Sequence, residues 1–131
     1  SLKSNIAFGL KNMEIDNNLV NKLVKIVKLE KFVKKLNNGI NTTISENGNN
    51  ISGGQKQRIG IARALYHDPQ LIILDEATNA IDKETSKEII NHIMQKKNNK
   101  TIVIISHDYF VLKNCDKVFN LRNRKLILDK S

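Results

Sequence analysis

The sequence has no apolar run approaching the roughly 20 residues needed to cross a bilayer. Its first residues, Ser1 to Ser4, lack the charged, apolar and small-residue zones of a secretion signal. The single cysteine, Cys115, has no partner for an internal disulfide, which suits a reducing compartment. We therefore expect no transmembrane segment, secretion signal or disulfide framework in these residues.

Aromatic residues and arginine are also scarce. Aromatics make up 5% of the sequence. Arginine occurs at only four positions, so lysine, scattered among many asparagines, supplies most of the net charge of +9. Single-stranded nucleic acids are bound by stacking on aromatic side chains, which are too few here. A solvated lysine-rich surface is favoured over a polyanion site, and no nucleic-acid partner is expected. The length of 131 residues and the hydrophobic share of 40% predict one domain with a real core.

The first half of the chain is predominantly helical by pattern. Apolar residues recur at helical spacing from Asn17 to about Leu36, with Asp16 or Asn17 as the cap. The lysines between them leave two interpretations open, a basic amphipathic helix lying on a membrane or a helix pair that packs its apolar stripe inward. We favour the helix pair. Residues Asn37 to Asn50 are polar and contain two glycines, which predicts a loop.

The second half alternates strands and helices. The apolar run Leu71 to Asp75 is predicted to be a strand buried on both faces. Strand, helix and strand in succession after residue 70 indicate an α/β fold with a parallel sheet. The other predicted elements are helices at Gly53–His67, Lys83–Lys97 and Tyr109–Asn114, a strand at Thr101–Ser106, and a hairpin of Val118–Leu121 with Lys125–Leu128.

A Ser-Gly-Gly-Gln turn opens the helix that begins near Gly53. Ser52 and Gln55 have the spacing of a capping box, so the simplest role of this turn is to start a helix. Gly53 and Gly54 argue for more, because each glycine costs about 1 kcal/mol inside a helix. Glycines let another group approach the backbone amides closely, and a helix N-terminus favours anions. The turn therefore predicts a phosphate site.

Polar side chains follow the two predicted parallel strands. Asp75 and Glu76 end the first strand, and His107 follows the second. The carboxyl ends of such strands are where open α/β sheets bind ligands. One carboxylate could hold Mg²⁺, and the next could orient and deprotonate a water. A lone histidine is usually structural, but one that follows a strand beside the Asp-Glu strand could reach a phosphate, so both roles stay open for His107 on its chemistry alone.

Taken together, these motifs resemble the ATPase domains of ATP-binding cassette (ABC) transporters. Ile51–Gln55 is similar to the LSGGQ signature, Leu71–Glu76 to the Walker B strand, Asn79–Asp82 to the D-loop and Ser106–His107 to the switch histidine. The resemblance covers nearly the whole chain. It implies a P-loop NTPase fold, with a helical subdomain at about residues 1–66 and the C-terminal half of the catalytic core at about 67–131.

The resemblance is closest to exporters. Glu76-Ala77-Thr78 is the exporter form of its motif, and Thr42–Gly48 resembles the exporter X-loop that contacts the membrane-spanning domain. The sequence departs from the exporter pattern at Ile51, Ser45, Asn79 and Asp108.

The resemblance also implies cofactors, partners and roles. ATP and Mg²⁺ would bind between two cassettes, at the cytoplasmic face of a membrane. The implied roles are phosphate contact for Ser52, Gly53, Gly54 and Gln55, Mg²⁺ binding for Asp75, general base for Glu76, γ-phosphate contact for His107, and a link between the two sites for Asp82.

No GxxxxGK[ST] phosphate loop occurs in these residues. We therefore interpret the chain as the C-terminal part of a cassette, without the Walker A and Q-loop region, and expect it to hydrolyse no ATP alone. Two alternatives remain: a DNA-maintenance or repair ATPase with the same motif logic, and a non-catalytic remnant that pairs with an intact cassette.

Overall fold

The computed structural model describes residues 1–45, 50–95 and 100–130. Its helical part contains α1 (Leu2–Ile6), α2 (Asn17–Ile26), α3 (Glu30–Val33) and α4 (Gly53–Tyr66), with 3₁₀ turns at Asn12–Glu14 and Gly39–Asn41. The second part contains β1 (Leu71–Asp75), α5 (Lys83–Gln95), β2 (Thr101–Ile105), α6 (Tyr109–Lys113), β3 (Val118–Arg122) and β4 (Lys125–Lys130). Residues 96 and 97, the predicted end of α5, lie outside the described ranges. None of the helices in those ranges has both the length and the apolar character that a membrane-spanning segment requires.

The helical spacing from Asn17 to Leu36 predicts one continuous helix, but the structure breaks this stretch in its middle. The prediction of a continuous helix was therefore wrong. Helix α2 ends at Ile26, and Lys28 adopts a left-handed φ of 57°. The amide of Leu29 donates to the carbonyl of Val24 (2.9 Å), and that of Lys28 donates to Lys25 (3.0 Å). This pair of bonds is a Schellman ending, which glycine usually provides. Because a lysine occupies the left-handed position, no glycine marked the break.

Buried apolar side chains from both halves form one core. Helix α4 packs against α1 and α2, and the inner faces of β1 and α5 complete the cluster. Asp16 caps α2 as expected, and its own amide donates to the hydroxyl of Tyr66 (3.0 Å) at the end of α4. The prediction that the first half packs its apolar stripe inward is therefore confirmed.

Strands β1 and β2 are parallel and in register, from Leu71 opposite Thr101 to Asp75 opposite Ile105. The predicted strand–helix–strand unit is therefore confirmed. Its burial was predicted wrongly: Ile72 and Leu74 are buried, whereas Leu71 and Ile73 are 52% and 60% exposed. The described helices cover one face of this pair of strands, and Val103 and Ile105 add to the open face. A continuous apolar run shows that both faces are apolar, but it does not show what covers them.

Strands β3 and β4 form the predicted antiparallel hairpin, with Arg122 opposite Lys125. The two connecting residues, Asn123 and Arg124, both have positive φ, of 50° and 61°. A two-residue loop with both φ angles positive matches the twist of antiparallel strands.

Candidate functional site

The N-terminus of α4 has the predicted capping box. The hydroxyl of Ser52 accepts from the amide of Gln55 (3.2 Å), and the amide of Ser52 donates to Oε1 of Gln55 (2.8 Å). Ser52 and Gly53 are exposed, whereas Gly54 and Gln55 are half-buried. A capped helix of 14 residues thus presents its positive end at an accessible surface.

The two glycines of this turn have different neighbours. A Cβ added at Gly54 would lie 2.6 Å from the carbonyl oxygen of Ala80, so a side chain does not fit there. A Cβ added at Gly53 would lie 3.6 Å from the Cβ of Ala80, an ordinary contact. The close approach predicted for these glycines therefore involves the chain's own backbone at Gly54. Gly53, which is exposed, is the one that leaves room for an outside ligand.

Glu76 marks a sharp change of direction after β1. Its φ is 45°, a left-handed conformation that costs a non-glycine residue about 1–2 kcal/mol. The amide of Glu76 donates to the carbonyl of Ile105 (3.0 Å), and its carbonyl accepts from the amide of Asn79 (3.2 Å). Because the chain turns at Glu76, the alternation of side chains along β1 ends at Asp75 and does not determine where the Glu76 carboxylate points. Asp75 is exposed and continues the open face of β1.

The carboxylate of Glu76 lies between two polar side chains. Its Oε2 accepts from Nδ2 of Asn79 (2.8 Å), and its Oε1 is 3.5 Å from Nε2 of His107. The parallel register explains this, because Asp75 and Ile105 are opposite each other and the residues after them leave the same edge. The structure therefore brings Glu76 and His107 together, as their positions after adjacent strands suggested. The His107 side chain is 92% exposed and free to meet a ligand from solvent.

Asp82 caps α5 and faces Arg58. Its carboxylate accepts from the amide of Thr85 (2.9 Å). Hydrogen bonds from the backbone and the side chain of Thr85 lower the pKa of Asp82, and the charge of Arg58 lowers it further. Burial lowers the pKa of Arg58, and the charge of Asp82 opposes that shift. Arg58 also donates from Nη1 to the carbonyl of Lys28 (2.7 Å). The resemblance implied for Asp82 a link between the two ATP sites; its capping of α5 was not predicted.

Gln57 contributes to this region although its sequence motif predicted no role for it. Its Oε1 accepts from the amide of Ala80 (2.7 Å), and its Nε2 donates to the carbonyl of Glu76 (3.3 Å). The available signal was helical spacing, since Gln57 lies three and four residues after Gly54 and Gly53 and shares their face of α4. The predicted phosphate turn and the predicted carboxylate site are thus packed against each other.

The described residues contain no cluster of three or more His, Cys, Asp or Glu side chains able to hold a metal ion. Magnesium usually takes one or two carboxylates and completes its shell with water and phosphate oxygens. The exposed carboxylate of Asp75 fits that kind of site. Of the predicted X-loop, Thr42–Ser45 is described, whereas residues 46–48 lie outside the described ranges.

Comparison with known proteins identifies the family. A family model described as "ABC transporter" matches residues 1–79, which include the serine–glycine turn, β1 and Glu76. The chain belongs to the ABC transporter family. The resemblance predicted from its motifs is thereby confirmed.

Individual ABC proteins resemble nearly the whole chain. ABC transporter B family member 21 of Arabidopsis thaliana is 35% identical over 127 residues, covering 97% of this chain and 10% of that protein. The ATP-dependent lipid A-core flippase of Pseudoalteromonas translucida is 39% identical over 127 residues, covering 97% of this chain and 22% of that protein. The chain thus spans between a tenth and about a fifth of the length of these relatives.

A solved structure confirms the predicted fold class. A bacterial Atm1-family ABC exporter with ATP bound superposes with a TM-score of 0.85 at 29% identity, covering 96% of this chain and 22% of that one. The α/β ABC ATPase fold predicted from the motifs is therefore the fold of this chain.

Proposed function

We propose that this chain supplies the signature motif and the Walker B carboxylates of an ABC exporter's ATPase, in which ATP hydrolysis drives transport across a membrane. The observation that carries the proposal is the position of Glu76, whose carboxylate faces His107 and Asn79 at the carboxyl end of β1. The match to the ABC transporter family over residues 1–79 supports it.

In this proposal Glu76 is the general base. It orients the attacking water and accepts its proton, a role that contributes roughly 10²–10⁴-fold to a rate. Asn79 holds Oε2 by a 2.8 Å hydrogen bond, which leaves Oε1 facing His107 and solvent. His107 follows the neighbouring strand β2, and from there it would contact both the γ-phosphate and the attacking water. Asp75 would hold Mg²⁺, which would neutralise phosphate charge when bound.

The N-terminus of α4 contacts a nucleotide held by a second cassette. Ser52, Gly53 and Gln55 offer a hydroxyl, backbone amides and a helix dipole to a γ-phosphate. The phosphate loop facing them belongs to that second cassette, so the two phosphate-handling parts of this chain serve two different ATP sites. Asp82 is proposed to lie between those sites.

The remaining partner is a membrane-spanning domain. We propose that it contacts the X-loop at Thr42–Gly48, which would hold the chain at the cytoplasmic face of the membrane. Because no phosphate loop occurs in these residues, we also propose that the chain hydrolyses no ATP by itself.

A hybrid transporter tests this function. In the hybrid, the residues of the Pseudoalteromonas flippase that match this chain are replaced by this chain. We expect ATP hydrolysis by the hybrid, and a loss of at least about a hundredfold in Glu76→Gln. Glu84→Gln is the matched control, since Glu84 is an exposed residue in the first turn of α5. Absence of hydrolysis from the hybrid, or hydrolysis that survives Glu76→Gln, would contradict the proposal.

A further inference from the structure

The side chain of Gln57 joins α4 to the loop that carries Glu76. Its amide group makes two hydrogen bonds, one to the amide of Ala80 (2.7 Å) and one to the carbonyl of Glu76 (3.3 Å). Both partners are backbone atoms of the loop from Glu76 to Asp82. One side chain of α4 therefore bridges the start and the middle of this loop.

The loop needs such a restraint at Glu76. The left-handed φ of 45° is a conformation that non-glycine residues keep only when their surroundings hold it. The amide of Glu76 is held by the carbonyl of Ile105 in β2. Its carbonyl is held from within the loop by the amide of Asn79 and from outside the loop by Gln57. The Gln57 bond is therefore the one that fixes this peptide group to the helical part of the chain.

The same face of α4 contacts the loop a second time. Gly54 lies against the carbonyl of Ala80, the residue whose amide Gln57 binds. The amide and the carbonyl of Ala80 are thus both in contact with α4, one turn apart along the helix. A shift of α4 would consequently move the loop, and the carboxylate of Glu76 with it.

We propose that Gln57 is a positioning residue for Glu76, which couples the direction of the Glu76 carboxylate to the position of α4. The proposal rests on the general-base role proposed for Glu76. Gln57 itself touches no reacting atom. Its effect is on where the carboxylate points, and therefore on the rate of the chemical step rather than on nucleotide affinity.

Two substitutions of Gln57 separate its two hydrogen bonds. Gln57→Met keeps the length of the side chain and removes both bonds. Gln57→Glu keeps the acceptor for the amide of Ala80 and removes the donor to the carbonyl of Glu76. Gln70→Met is the matched control, because Gln70 is an exposed glutamine in the turn before β1.

Hydrogen exchange and steady-state kinetics of the hybrid transporter measure the two parts of the proposal. We expect faster amide exchange in residues 77–82 of Gln57→Met, retained protection of that segment in Gln57→Glu, and no change in Gln70→Met. We expect kcat to fall about ten- to a hundredfold in Gln57→Met, because a misplaced group costs rate. The KM for ATP should stay within about twofold, as for loss of an interaction used only in the transition state.

Each other outcome has a distinct meaning. Unchanged exchange in Gln57→Met would overturn the bridge itself, and this measurement does not depend on hydrolysis. Faster exchange with unchanged kcat would overturn the positioning role. A parallel rise in KM would assign Gln57 to nucleotide binding instead. Hydrolysis that is insensitive to Glu76→Gln would reject the proposed function, while the exchange data would still decide whether Gln57 holds the loop.

Discussion

Gly54 lies against the backbone of Ala80, so that a Cβ at position 54 would stand 2.6 Å from the Ala80 carbonyl oxygen. This contact joins the first turn of α4 to the loop between β1 and α5. The turn therefore does two things: it presents amides at an accessible helix end, and it packs on the chain's own loop. The second of these explains the glycine at position 54 without any ligand.

Gly54→Ala is expected to destabilise the chain, whereas Gly53→Ala is not. Overpacking a close contact costs about 1–3 kcal/mol, because backbone on both sides must move. Gly53→Ala makes only an ordinary contact at 3.6 Å and gains up to about 1 kcal/mol of helix propensity. Urea unfolding of the purified chain and of the two variants measures both values. Equal stability of the two variants would refute the packing explanation.

The motifs along the sequence predicted the family, the order of the elements and the meeting of Glu76 with His107. Those features depend on local patterns and on the rule that parallel strands end at the same edge. The break at Lys28 was not predictable, because a lysine occupies the position at which glycine usually signals the end of a helix. The contact of Gly54 with Ala80 and the bridge from Gln57 were not predicted, because they depend on how α4 packs against the loop across 19 to 26 residues, which no local pattern fixes.

The open face of β1 leads to opposite expectations for adjacent isoleucines. Ile72 is 4% exposed and packs in the core, so Ile72→Thr should cost about 1–3 kcal/mol by burying a hydroxyl group. Ile73 is 60% exposed, and Ile73→Thr should change the unfolding free energy by less than about 0.5 kcal/mol. Urea unfolding of the purified chain compares them. A large loss in Ile73→Thr would show that this face is covered in solution, for example by a second copy of the chain.

Asp82 should make stability depend on pH in the acid range. Its pKa is lowered from an ordinary value of 3.8, first by the hydrogen bonds from Thr85 and then by Arg58. A group whose pKa falls on folding contributes stability above its unfolded pKa and loses it as the pH falls through the folded one. The variant Asp82→Asn keeps a capping side chain and removes the charge.

The measurement for Asp82 is the difference in unfolding free energy between the wild-type chain and Asp82→Asn. The wild type should be the more stable of the two at neutral pH. The difference should shrink as the pH falls below 3.8, where the wild-type carboxyl group takes up its proton. A difference that stays constant from neutral to acid pH would show that the charge of Asp82 contributes nothing to folding.

The most direct test of the account is the fate of ATP bound to the hybrid transporter with Glu76→Gln. If Glu76 is the general base, this variant should bind ATP with the affinity of the wild type, within about twofold. It should retain the nucleotide as ATP, with turnover lowered at least about a hundredfold, while Glu84→Gln converts ATP to ADP at the wild-type rate. Conversion of bound ATP to ADP by Glu76→Gln at the rate of the wild-type hybrid would contradict the account.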